Sequence, residues 1–336
     1  MKEKIDLEKL LKSTLEHPYE ADVCFLCADP LVEGSYTEEH VFPKWLQKKF
    51  DLWDQELFLL NGTSIKYRNL KIPCCRSCNN ELLSELENKI RIGFENGYDS
   101  FIKIEEYDVF VWISKIFLGT IYKELFLYYD RKDKDAGYIL TDEFLKRYAI
   151  LHFWLQFANR NDDKSFCPGS VFVLKSQVPS NIKEQFDLVD DASNGVIYIR
   201  FGEIVIIADF LENGLHKLAL EDELKKLQHI VLHPLQSREF AIRVIYGAKL
   251  LNVETNINFT LIDDKLIQKL EWKAINKGEL FSKWNQEEYS KYLSFYTQTP
   301  FEQLFVPPDK VRTLLFNPNG EYFFWEYGTD FPYSNQ

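Results

Sequence analysis

Apolar residues recur along this chain with two periods. In "CNNELLSELENKIRI", Leu82, Leu86 and Ile90 fall four apart, which predicts one buried face of a helix. Glu85 with Lys89 and Glu87 with Arg91 have the spacing and order of exposed helical pairs. Aromatic-rich helical segments are predicted over 107–130 and 142–159, separated by the polar turn "DRKDKDAG". The longest apolar run, Val109 to Tyr122, is broken by Lys115 and is shorter than the roughly 20 residues a bilayer span needs, so it reads as a buried helix. A further amphipathic helix is predicted in "GELFSKWNQEEYSKYLSFY".

The strand period appears in "LFLLNGTSIKY", where Asn61-Gly62 suits a tight two-residue hairpin turn. "VIYIRFGEIVIIADF" reads as two strands hinged at Gly202-Glu203, "FAIRVIYG" as another strand, and "TLLFNPNGEYFFWEY" as a hairpin turning at Asn317 to Gly320. The fold class is α+β, without internal repeats or low-complexity tracts.

At 336 residues, 46% of them hydrophobic, the chain can bury a large core and has room for two domains. A formal net charge of −12 excludes a chain that binds nucleic acid through its overall field; such binding needs a local basic patch or a partner. Lys44, Lys48, Lys49, Lys66, Arg68, Lys71 and Arg76 supply candidates for one. The charged N-terminus, "MKEKIDLEKLLKSTLEH", lacks the continuous apolar core of a secretory signal, and a cytoplasmic location is expected.

Five of the six cysteines lie in the first quarter. "CFLC" and "CRSC" each leave two residues between thiols, which lets Cys24, Cys27, Cys75 and Cys78 reach one tetrahedral zinc ion. In a reducing compartment this spacing points to metal rather than disulfides. Cys74 would break the two-residue gap, so it reads as a core thiol or one packed behind the metal site. The 47 residues between Cys27 and Cys75 exceed the usual insert of about 15–20. That insert contains the hairpin and "EEHVFP". His229 and His233, four apart in "HIVLHP", form a weaker metal pair because Pro234 follows and no acid or cysteine stands near. His17, His152 and His216 read as structural or exposed, and Trp45 and Trp53 as core residues or stacking platforms for bases.

The order "CFLC", "EHVFP", "RNL", "CRSCNN" resembles the HNH endonuclease family, of the ββα-metal type with a zinc knuckle, over residues 22 to 92. The resemblance implies a zinc-stapled nuclease domain at 1–95 and a larger mixed α/β domain at 96–336 for target recognition, partner binding or regulation. It makes His40 the general base, Glu39 the acidic ligand of a catalytic Mg²⁺ or Mn²⁺, Asn79 the helix-borne ligand, and Asn69 the residue bracing the loop. Asn80 is an alternative to Asn79, and Asn61 to Asn69. The implied activity is hydrolysis of nucleic acid, DNA foremost, and family members acting in bacterial antiviral defence make that a candidate role. A regulatory protein or a second copy of the chain would be a further partner; no membrane association is implied. The alternative is a zinc-knuckle module that binds DNA or protein without cutting.

Overall fold

A computed structural model describes residues 22–330, apart from 126, 159–163, 165–166, 211, 263–264, 276–278 and 318. The expectation for the N-terminal segment, including His17, lies outside these residues. The protein is an α+β chain with two compact units. Among the described residues no helix is long and apolar enough to cross a membrane.

The first unit spans Met1–Asn96, Lys103–Phe166 and Phe259–Gln268. Strand β1 (Tyr36–His40) pairs antiparallel with β4 (Lys71–Cys75), setting His40 opposite Lys71 and Thr37 opposite Cys74. Pro43 then heads α1 (Lys44–Lys49); with no N–H it cannot extend the ladder. A small hairpin follows, β2 (Glu56–Phe58) against β3 (Ser64–Lys66). Its loop differs from the expected two-residue turn. Gly62 N–H bonds Leu59 O at 2.9 Å and Gly62 has φ +74°, so Leu60 to Gly62 form a three-residue loop with glycine in the left-handed position.

After β4 the chain makes a wide π-helical turn, Cys78–Leu83, and continues as α2 (Ser84–Glu95). Of the predicted face, Ile90 is buried and Leu82 and Leu86 are partly so, while the most buried residue of the preceding turn is Leu83, off that four-residue spacing. The two expected exposed pairs on this helix do not form. Lys89 instead reaches Asp108, and Glu87 turns inward to Lys115. Helix α3 (Glu106–Glu124) is buried on all sides over most of its length and packs on α2, β4 and α4 (Asp142–Ala158). The compact unit that contains Cys24, Cys27, Cys74, Cys75 and Cys78 extends beyond residue 95 and takes in α3 and α4. Gly119 lets α3 approach the end of β1: a Cβ there would lie 2.9 Å from a Val41 methyl.

The second unit comprises Gly97–Ile102, Cys167–Asn258 and Lys269–Gln336. Its sheet contains β5 (Ser170–Ser176), β6 (Phe186–Asp191), β7 (Val196–Phe201), β8 (Ile204–Asp209) and β9 (Val231–Leu232), in the order β6-β7-β8-β5-β9. All pairs are antiparallel except β5 with β9, and Gly202 at φ +62° makes the predicted hinge between β7 and β8. The expectation of a strand at "FAIRVIYG" is corrected: these residues lie within α5 (Pro234–Leu250). Phe240, Ala241, Val244 and Ile245 enter one core cluster, while Ile242 and Tyr246 enter another. A helix wedged between two cores is apolar on both faces, so its sequence loses the polar stripe that marks a helix. Helix α6 (Gln286–Thr297) starts at Asn285, whose side chain caps Glu288 N–H at 3.0 Å.

This unit buries an ionisable cluster. His216 Nδ1 lies 2.6 Å from Asp209 Oδ2, and Glu212 Oε2 accepts the His216 backbone N–H at 2.6 Å. Burial opposes charge on His216, but Asp209 outweighs it and holds the imidazole above its usual value. Glu212 is pushed up to about 7, by burial first and Asp209 second. Both folded-state values are raised, so their stabilisation is complete below the unfolded values, about 4.3 for Glu and about 6.5 for His. It is lost as pH rises through the folded values. The expected result is a melting temperature for this unit that declines by a few degrees between about pH 5 and pH 8, with a flatter profile in His216→Gln. Calorimetry across that range checks it; equal slopes in the two proteins refute the assignment.

Candidate functional site

The cysteine cluster is built by two backbone devices. Between Cys24 and Cys27 the chain turns tightly, with Ala28 N–H on Cys24 O at 2.8 Å and Ala28 in the left-handed region at φ +57°. Opposite it, β4 delivers Cys75 and the following turn delivers Cys78. The four ligand atoms of Cys24, Cys27, Cys75 and Cys78 all lie within 4.8 Å of one another. The Cys27–Cys75 sulfur separation is 3.8 Å, close to the ~3.8 Å edge of a tetrahedron with Zn–S bonds of about 2.3 Å. Backbone N–H groups of Cys75 and Cys78 point to the sulfurs of Cys24 and Cys75, at 3.3 and 3.5 Å. These four thiols lie close enough to bind one metal ion such as zinc.

Hydrogen bonds from Cys27, Cys74 and Cys78 hold the Cys24 thiol far below its usual value, and that thiolate pushes Cys27, Cys74 and Cys78 far above theirs. Cys74 is fully buried, 3.9 Å from Cys24, and stands outside the group of four. Helix α4 secures the knuckle from behind. His152 Nε2 lies 2.7 Å from Phe25 O, and burial pushes this imidazole down to about 4, which keeps it neutral.

Beside the cluster opens a cleft of about 470 Å³, whose lining includes Glu38, Glu39, His40, Lys44, Trp45, Asn79, Asn80, Glu87, Asn88 and Arg91. Three of the four candidate catalytic residues meet there: Glu39, His40 and Asn79. His40 is only 7% exposed and packs edge-on to Trp53 at 5.7 Å. Its Nδ1 is buried with no hydrogen-bond partner among the described residues, and burial pushes its pKa down to about 4. Asn79 donates its amide to Thr37 Oγ1 at 3.1 Å. Thr37 and Glu39 share a face of β1 because strand side chains alternate, so this bond ties the helical turn to the side of the strand that carries Glu39.

Asn69 lies elsewhere. It closes a short 3-10 turn, Tyr67–Asn69, is exposed, and is not among the cleft-lining residues. Asn61 braces its own hairpin loop through Thr63. The chain after His40 is instead held by its backbone, Val41 N–H bonding Leu70 O at 2.9 Å, and by a residue that the sequence reading placed only in a helix. Lys115 is fully buried, with its ammonium 2.8 Å from Glu39 Oε1, 3.1 Å from Glu87 Oε1, 2.5 Å from His40 O and 3.1 Å from Val41 O. Burial alone would push its pKa down; Glu39 and Glu87 outweigh that and keep it charged. One signal was present in the sequence: a lone charge inside a long apolar run must find a buried partner.

The basic residues divide into two groups. Lys66 and Arg68 pair with Asp54, and Lys71 pairs with Glu38 at 2.7 Å. Lys44, Lys48, Lys49 and Arg76 make no ion pair among the described residues, and Lys44 reaches the cleft. The weaker histidine pair has a structural use. His233 caps α5, accepting Leu235 N–H at Nδ1 at 3.1 Å, and stacks on Trp325 with ring centroids 3.8 Å apart.

Comparison with known proteins found no match to any family model, curated protein or solved structure.

Proposed function

We propose that the chain is a metal-dependent endonuclease of the HNH type, whose first unit hydrolyses phosphodiester bonds of nucleic acid, DNA foremost. One juxtaposition carries the reading. Glu39 and His40 end a strand whose antiparallel partner leads through two cysteines into the helical turn of Asn79, and all three side chains border one cleft. Cys24, Cys27, Cys75 and Cys78 hold zinc and join the strand to that turn.

His40 is the general base. Its burial keeps the imidazole neutral near pH 7, able to accept a proton from an attacking water, and the negative phosphodiester entering the cleft raises its basicity. The donor set of Glu39 and the Asn79 carbonyl oxygen suits a hard cation, Mg²⁺ or Mn²⁺. Held by Glu39 and Asn79, such an ion would neutralise charge on the scissile phosphate and on the leaving oxygen. Lys115 positions both reacting groups, holding the Glu39 carboxylate and the backbone carbonyl of His40. Lys44 and Arg91 line the cleft and contact the phosphate backbone.

The test is incubation of supercoiled plasmid with the full chain in EDTA, Zn²⁺, Mg²⁺ or Mn²⁺. Nicking is expected only with Mg²⁺ or Mn²⁺. Stoichiometric zinc and retention of DNA without cleavage would replace this reading by that of a non-catalytic binding module.

A further inference from the structure

We infer that Glu87 is a second carboxylate ligand of a divalent cation in the His40 cleft, acting with Glu39 while Lys115 serves as the counter-ion behind both. The inference deepens the nuclease reading and rests on it for the identity of the site. Both carboxylates reach the same Lys115 nitrogen, Glu39 at 2.8 Å and Glu87 at 3.1 Å. Each uses Oε1 for that contact, which leaves Oε2 of each carboxylate outside it. Both side chains are mostly buried, 12% and 18% exposed, yet both line the cleft.

One ammonium against two carboxylates leaves this trio itself net negative, with Lys44 and Arg91 elsewhere in the cleft lining. Adjacent like charges are tolerated only with a shared proton or a further cation. His40 points independently to a ligand in the same place: it is more than nine-tenths buried, borders the cleft, and its Nδ1 finds no partner among the described residues. The remaining polar lining includes Asn79, a neutral oxygen donor. Carboxylate and amide oxygens are the donors that Mg²⁺ and Mn²⁺ prefer.

Glu87 sits on α2, about two turns beyond Asn79, where the sequence places the helix-borne ligand. Its spacing to Arg91 reads as a surface pair. Only the position of Lys115 on α3 turns it inward.

The experiment is Mn²⁺ titration of the zinc-loaded full chain followed by electron paramagnetic resonance, on wild type, Glu87→Gln and Glu87→Asp, with zinc content and melting temperature recorded for each. Wild type is expected to bind Mn²⁺, Glu87→Gln to lose affinity by about tenfold or more, and Glu87→Asp, which keeps the charge facing Lys115, to lose less. Plasmid nicking, measured in parallel, should need correspondingly more Mn²⁺ in the variants. Unchanged Mn²⁺ affinity in both variants overturns the inference, as does a wild type that binds no Mn²⁺. Cleavage by wild type with unchanged affinity in Glu87→Gln leaves the nuclease reading standing without Glu87 as a ligand. Glu87-dependent Mn²⁺ binding in a protein that cuts nothing leaves the cation site standing and removes the nuclease.

Discussion

His40→Ala is expected to reduce Mg²⁺- or Mn²⁺-dependent plasmid nicking by about 10²–10⁴-fold, the range by which a positioned general base accelerates proton transfer. The loss should be chemical rather than structural. The backbone around His40 is held independently of its side chain, by Lys115 on the carbonyl and by the Val41–Leu70 hydrogen bond. The imidazole nevertheless packs against Trp53, so truncation leaves a gap, and His40→Gln serves as the larger-volume control. Both variants should retain zinc, melt within a few degrees of wild type, and bind DNA. Nicking by either variant at the wild-type rate would remove His40 as the base.

Cys75→Ser is expected to lower the melting temperature of the first unit by more than about 10 °C and to abolish stoichiometric zinc. Structural zinc contributes on the order of 10 kcal/mol to small zinc-bound folds, and each kcal/mol moves the midpoint of a 150–250-residue domain by roughly 2–4 °C. The effect should be large here because the cysteines lie where β4 ends and the helical turn begins. The same variant should lose nicking entirely, since Asn79 directly follows Cys78. A protein that contains no zinc when purified, and whose Cys75→Ser variant melts with wild type, would show the four thiols to be a packed cluster without metal. The second unit provides an internal control, because its cores contain no cysteine.

How much of this was legible in the chain varies by element. The paired two-residue gaps locate the cysteine cluster because ligand spacing is local: two thiols of one tight turn can reach one ion whatever surrounds them. The adjacency of Glu39 and His40 was equally local, as were the helix carrying Leu86 and Ile90 and the glycine hinge at Gly202. The helix α5 was not legible, because burial between two cores removes the polar stripe that would have revealed its period. The way the chain after His40 is held was not legible either. Asn69 stands in the right order along the chain but is exposed, and the cation that holds the loop comes from a helix 75 residues further on.

Glu87 makes the same point most sharply. Along the sequence it is one member of a surface pair, four residues before Arg91. In space it lies against Lys115, mostly withdrawn from solvent and facing Glu39 across a shared ammonium. The spacing of the four thiols and the adjacency of Glu39 and His40 are local patterns, readable along the chain. Tertiary structure alone decided how those groups are charged and held. The energy of a charge depends on its distance to other charges and on the water it has lost, and neither quantity is a property of neighbours along the chain.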